Sequence, residues 1–147
     1  MLKSIRIQNY RNIANETLEL GPLQVLVGKN GVGKSNIVDA FRFLGDALTV
    51  GLDTAIRSRG GLDSLRRWSS PDELCESFAL TVMGDAGNHE WEYHIEVGGT
   101  AGEHRILRER LNAGPAADMA TMFHVADGEW RTKSGHVPAP LGTRNLY

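Results

Sequence analysis

The sequence predicts an α/β fold in which one amphipathic helix follows a glycine-rich phosphate-binding loop and an antiparallel β-region comes later. Three observations predict it. Residues 28–35 read GKNGVGKS and match the pattern G-x-x-x-x-G-K-[ST]. Around them, residues 22–27 are a short β-rich apolar run, and residues 35–50 carry apolar side chains at helical spacing. From residue 77 onward the pattern turns to short β-runs separated by glycine-rich turns.

Each residue type in the loop has a physical role. Gly28, Gly31 and Gly33 let the backbone take positive φ and pass close to an oxygen with no Cβ in the way. The N–H groups of a loop formed by Gly28, Lys29, Asn30, Gly31, Val32 and Gly33 are expected to cradle phosphates, above the positive end of the following helix. Lys34 is expected to reach the β- and γ-phosphates, with Asn36 beside it in the first helical turn. The Ser35 hydroxyl is the candidate ligand for Mg²⁺, an ion that takes few protein ligands and keeps several waters.

Before the loop, residues 2–8 nearly alternate around Leu2, Ile5 and Ile7, which predicts a first strand. Residues 9–12 (NYRN) are a turn candidate, and residues 16–20 alternate again as a returning strand. Gly21-Pro22 punctuates the chain, and residues 22–27 would suit a buried parallel strand. In the helix, Ile37, Phe41, Leu44 and Leu48 form the predicted apolar stripe, widened by Val38, Ala40, Phe43 and Ala47. A short helix over residues 53–59 would end at Gly60-Gly61. Arg57, Arg59, Arg66 and Arg67 make the following stretch the most basic of the chain. It reads either as a surface for phosphates or as a solvated face balanced by Asp53, Asp63, Asp72 and Glu73, and the second is the simpler reading.

Further strands are predicted over residues 78–83, 91–97, 105–111 and 121–126, with turns at 84–88 and 98–102. In the second of them Glu92, His94 and Glu96 alternate with Trp91, Tyr93, Ile95 and Val97, so one face is expected to be wet. The expected organisation is a hairpin, loop strand and helix over 1–50 and a basic helical connection over 51–75. An antiparallel β-subdomain over 76–134 and an irregular tail over 135–147 complete it.

Bulk composition narrows the class. A chain of 147 residues with 41% apolar and 23% charged residues is ordinary globular material for one domain. A formal net charge of −2 gives no global pull toward nucleic acid or anionic lipid, although a local basic surface can sit on a neutral domain. Cys75 is the single cysteine, which excludes an intrachain disulfide and fits a reducing cytoplasm. No apolar run approaches the roughly 20 residues that span a bilayer, and the N-terminus lacks a signal-peptide core, so a cytoplasmic protein with no membrane partner is expected.

The order of elements carries a resemblance. Residues 2–13 (LKSIRIQNYRNI), then Gly21-Pro22-Leu23, then residues 28–44 (GKNGVGKSNIVDAFRFL) resemble ABC-type ATPase heads of the RecF/SMC-like branch. Asn30 within the loop, Asp39 and the aromatic continuation at residues 40–44 look like that branch. The stretch from Gly51 through RGGLD to RRW at residues 66–68 looks like bacterial ATPases of the AAA_21 type. The resemblance implies the N-terminal lobe of a P-loop NTPase with an antiparallel β-subdomain, incomplete as a head. It implies ATP and Mg²⁺ as cofactors, and Arg11 and Asn12 near the bound phosphates. It also implies a C-terminal half or second head enclosing ATP between two copies, with DNA as a further partner.

Other residues point to packing. Asp39, one helical turn past Ser35, reads as structural. The five histidines, at 89, 94, 104, 124 and 136, show no metal-ligand spacing. Trp68, Trp91 and Trp130 are expected in core or half-buried packing. Hydrolysis needs more than a phosphate loop: an acidic metal partner and a group to orient water. The only glutamines, Gln8 and Gln24, precede the loop, so no Gln loop follows it, and no Leu-Ser-Gly-Gly segment is present. The nearest imitation of an acidic Walker B strand, residues 122–129 (MFHVADGE), has Gly between its acids. The expected function is therefore Mg·ATP binding in the N-terminal part of a RecF/SMC-like ATPase that couples nucleotide state to DNA repair or anti-phage defence, with no catalytic residue assigned. A non-catalytic interaction module with a vestigial loop, and a small phosphotransferase, remain open on the same residues.

Overall fold

The computed structural model describes residues 1–100, 102–115 and 119–126, together with the backbone of 129–132. The chain begins with an antiparallel hairpin, β1 (Leu2–Tyr10) and β2 (Ile13–Glu19). Their partners run from Ser4 opposite Glu19 to Tyr10 opposite Ile13, so Arg11 and Asn12 alone make the turn. After a loop, α1 (Lys34–Val50) and α2 (Leu52–Arg57) pack together, and one 3₁₀ turn follows at Leu62–Ser64. A small hairpin of β3 (Trp68–Ser70) and β4 (Glu73–Leu74) leads into β5 (Ser77–Ala86). The meander continues through β6 (His89–Thr100), β7 (Glu103–Gly114), β8 (Ala120–Ala126) and β9 (Glu129–Thr132).

Seven of the nine described strands form one antiparallel sheet in the order β2-β1-β5-β6-β7-β8-β9, while β3 and β4 pair only with each other. β1 pairs with β5, from Leu2 opposite Gly84 to Gln8 opposite Ala79, so the N-terminal hairpin and the later β-region share a single sheet. The fold is thus mixed α/β with an antiparallel sheet. Alternation puts Ile5, Ile7, Leu80, Val82, Tyr93, Ile95 and Val97 in the core. On β6 the other face is polar, as its pattern predicts. Arg110 donates to Glu92 at 2.8 Å, Ser77 donates to Glu96 at 2.7 Å, and His94 Nδ1 lies 2.8 Å from the Thr81 hydroxyl.

α1 covers the sheet through Ala40, Phe43, Leu44 and Ala47, spaced i, i+3, i+4 and i+7. Tyr10 from β1, Phe43 from α1 and Phe78 from β5 meet edge to face, with ring centroids 5.2–6.1 Å apart. The helix is where the sequence places it, but its stripe is rotated from the predicted one: Ile37 and Phe41 are only partly buried, and Leu48 and Val38 are exposed.

Residues 22–27 do not form the strand that their pattern predicts. No strand is assigned there, and Leu23, Val25 and Val27 are 83%, 71% and 89% exposed. A strand exists only where a neighbour satisfies its backbone groups. β1 is already paired on both sides, and no strand among the described residues lies beside this run. The turns at 84–88 and 98–102 are also tighter than predicted, because Gly84, Gly98 and Gly99 lie inside strands. Gly84 serves close approach: a Cβ there would sit 2.4 Å from the Trp91 ring and 2.6 Å from the Met1 carbonyl oxygen.

Candidate functional site

The loop and its surroundings are built by three segments: the β1–β2 turn, residues 28–37, and the stretch from Arg59 to Trp68. Gly31 and Gly33 have φ of +84° and +102°, the left-handed region that the loop's glycines are there to supply. At Gly33 space is limiting as well, since a Cβ would lie 3.0 Å from Asn12 Oδ1. Gly33 precedes α1 without a side-chain cap, and the first turn of the helix carries no acidic residue. An N-terminus of this kind presents unsatisfied N–H groups and positive potential. In front of it lies an open cleft of about 310 Å³ lined by Asn30, Gly31, Gly33, Lys34, Ser35 and Asn36.

Lys34 folds back over this loop, donating to the Gly28 carbonyl oxygen and, at 2.6 Å, to that of Lys29. The ammonium therefore already sits inside the loop, held by weak neutral acceptors that an anionic oxygen would outcompete. The Ser35 hydroxyl is exposed and makes no hydrogen bond among the described residues. Lys29 and Val32 are exposed.

The β1–β2 turn clamps the loop. Asn12 Nδ2 donates to the Gly31 carbonyl oxygen at 3.1 Å, and Asn36 Nδ2 donates to Asn12 Oδ1 at 2.7 Å. Asn9 and Arg11 both have φ of +52°, a conformation that costs a residue with a Cβ about 1–2 kcal/mol. Backbone bonds hold the strained turn: the Arg11 N–H donates to the Leu65 carbonyl oxygen at 2.7 Å, and the Arg67 N–H to that of Asn9 at 2.9 Å. Arg11 and Asn12 are thus brought to the loop, Asn12 directly and Arg11 through Asp39.

Asp39, predicted to be structural, is the hub of that arrangement. Its Oδ2 accepts from the Tyr10 hydroxyl at 2.7 Å and from Arg11 Nε at 2.9 Å, and its Oδ1 accepts from Arg59 Nε at 3.0 Å. Burial alone would raise the Asp39 carboxyl, but the bonds from Tyr10 and Arg59 and the charges of Arg11 and Arg59 outweigh it. They hold the group below the ordinary aspartate range. Burial, followed by the bond to Asp39 and its charge, pushes the Tyr10 phenol well above the ordinary tyrosine value.

Of the four arginines between α1 and β3, three are paired with carboxylates. Arg57 binds Asp53 at 2.7 Å, Arg59 binds Asp39 and Asp46, and the buried Arg66 binds Asp63 and the Glu76 and Gly99 carbonyl oxygens. Asp53 and Asp63 are partners that the sequence reading named; Asp39 and Asp46 are not. Arg59 lies 20 positions from Asp39, and no local spacing signals that contact. The side chain of Arg67 has no hydrogen-bond or carboxylate partner among the described residues.

Trp68, expected in packing, is 56% exposed instead. Its strand pairs only with the two residues of β4, and the buried run ends two residues earlier, at Leu65 and Arg66. Trp91 is partly buried against the core as expected, and the side chain of Trp130 lies outside the described residues. Residues 122–126 of the Walker B imitation form part of β8, paired with β7 and β9, while Asp127 and Gly128 lie outside the described residues. His136 lies outside them too. Among the described residues, no group of three or more His, Cys, Asp or Glu could hold a metal, and no helix is long and apolar enough to cross a membrane.

Residues 1–63 match the AAA ATPase domain family AAA_15. The chain is 45% identical over 140 residues to the OLD nuclease of Thermus scotoductus, covering 94% of this chain and 22% of that protein. It is 31% identical over 134 residues to the DNA replication and repair protein RecF of Brucella abortus, covering 84% of this chain and 31% of that one. Over 45 residues it is 53% identical to the chromosome partition protein Smc of Desulfitobacterium hafniense, 29% of this chain and 4% of Smc. The N-terminal region is thus similar to an AAA ATPase domain and to parts of the OLD nuclease, RecF and Smc, and the chain spans less than a third of the length of each of these three.

Proposed function

We propose that the chain is the ATP-binding N-terminal part of a RecF/SMC-like ATPase, holding Mg·ATP by its triphosphate at the loop from Gly28 to Ser35. The observation that carries this reading is the uncapped N-terminus of α1, with Lys34 already inside the loop before it. Backbone N–H groups of residues 28–33 and of the first helical turn would surround the phosphate oxygens. Lys34 would exchange its two carbonyl acceptors for β- and γ-phosphate oxygens, and Asn36 would stay tied to Asn12, fixing the loop's width. Ser35 would give Mg²⁺ one oxygen, with phosphates and water supplying the rest. Arg11, whose guanidinium uses Nε on Asp39, keeps its terminal nitrogens for a phosphate.

The reading includes limits on chemistry. Among the described residues, no carboxylate sits in the first turn of α1 to share the metal, and Asp39 is held by three donors. The groups that position water and the second metal contact would come from a C-terminal half or a second head, and DNA would be the partner whose engagement ATP controls. A cytoplasmic setting belongs to the same proposal. An ATPase assay on the 147-residue chain tests this division of labour. Turnover at the level of a blank, alongside ATP binding, is expected; robust hydrolysis abolished by Lys34→Ala would overturn it.

A further inference from the structure

Arg11 is a half-buried cation whose direction is set by one side-chain bond. Its backbone is fixed in the strained turn, where its N–H donates to the Leu65 carbonyl oxygen. Its side chain spends one donor, Nε, on Asp39 Oδ2, and its terminal nitrogens bond no carboxylate or carbonyl oxygen among the described residues. Asp39 is fixed in turn by the Tyr10 hydroxyl and by Arg59 Nε. Arg59 is 9% exposed and is itself held by Asp46 at 2.7 Å and by the Ala55 carbonyl oxygen at 3.0 Å, with its guanidinium over the Phe43 ring. A chain of bonds therefore runs from a buried arginine through Asp39 to a more exposed one. Asp39 follows Ser35 by four residues, so the two share one face of α1, about 6 Å apart along its axis. Helical side chains lean toward the N-terminus of their helix. The Asp39 carboxylate thus leans back toward the Ser35 turn, and Arg11 is held on that face.

We infer that Asp39 and Arg59 are positioning residues of the nucleotide site: their bonds orient Arg11 so that its terminal nitrogens meet a phosphate oxygen beside Ser35. The inference rests on the phosphate reading of the loop. An unrestrained arginine gives up rotamer freedom when it binds, and a side chain already held in place loses less. Asp39 does this holding directly. Arg59 acts through Asp39, so the segment after α2 sets nucleotide affinity without touching the nucleotide.

Calorimetric titrations with Mg·ATP of the parent, Arg11→Ala, Asp39→Asn and the double variant close a cycle around the Arg11–Asp39 contact. Arg11→Ala is expected to weaken ATP about tenfold, the scale of a bond to a charged group. Asp39→Asn is expected to weaken it about fivefold through lost orientation, and the double variant to bind no more weakly than Arg11→Ala alone. Arg59→Lys keeps the charge but cannot bond Asp39 and Asp46 together, so it tests the same path with the carboxylate in place. It is expected to weaken ATP about threefold, and only where Arg11 is present. Thermal melts report the stability of each variant separately. Asp39→Asn or Arg59→Lys binding ATP as the parent does, or weakening it equally with and without Arg11, overturns the positioning role and leaves the phosphate reading intact. Arg11→Ala binding ATP as the parent does has the same consequence. A parent chain that does not bind Mg·ATP overturns both.

Discussion

Asp39 collects three donors from three segments: Tyr10 at the end of β1, Arg11 in the turn, and Arg59 after α2. Removing its charge strands two guanidiniums, one of them almost fully buried. Asp39→Asn is expected to lower stability at pH 7 by about 2 kcal/mol, the scale of charge-assisted bonds. The sign of the pH dependence follows from the depressed value of the carboxyl. Its contribution is complete above the unfolded aspartate value of 3.8 and is lost as pH falls through the lower folded value. Urea unfolding of parent and variant should show a gap at neutral pH that closes in strong acid; a gap independent of pH would mean that the carboxylate charge does not hold the hub. Gly33→Ala belongs to the same scale. At φ +102° a Cβ is strained by about 1–2 kcal/mol and presses on Asn12, so loss of both stability and loop geometry is expected. An unchanged melting temperature would contradict it. Gly31 and Gly33 were legible in the sequence because their role is local, whereas Gly28 does not take the positive φ expected of it. The Arg59–Asp39 contact was not, since only the packing of α2 on α1 brings them together.

Among the elements, α1 shows how far periodicity reaches. Its length and apolar character are plain in the sequence, but its phase is not, because Ile37, Val38, Phe41 and Leu48 are as apolar as the residues that become buried. Phase is set by Tyr10 and Phe78, which receive Phe43. Phe43→Ala is therefore expected to destabilise by about 3–5 kcal/mol, and Val38→Ala by no more than about 0.5 kcal/mol. Chemical denaturation of the two variants checks this, and equal losses would place the stripe elsewhere. The β-strands were legible from alternation, while their ends were misjudged where glycine serves crowding, as at Gly84 under Trp91, and not turning. Residues 22–27 illustrate the opposite limit. Their pattern suits a strand, but pairing depends on a neighbour that no local sequence feature reveals.

For the whole molecule, one sheet carries both the hairpin that clamps the loop and the meander beyond it, because β1 pairs with β2 on one side and β5 on the other. The turn that touches the loop is thereby anchored in the centre of the core, so its strained residues are held by the sheet as well as by Leu65 and Arg67. The central claim is that this scaffold preforms a phosphate cradle. The most direct test is a calorimetric titration of the chain with Mg·ATP beside its Lys34→Ala variant. Saturable binding by the parent, lost in the variant, is the predicted result. Binding unaffected by Lys34→Ala, or no binding by the parent, would contradict it.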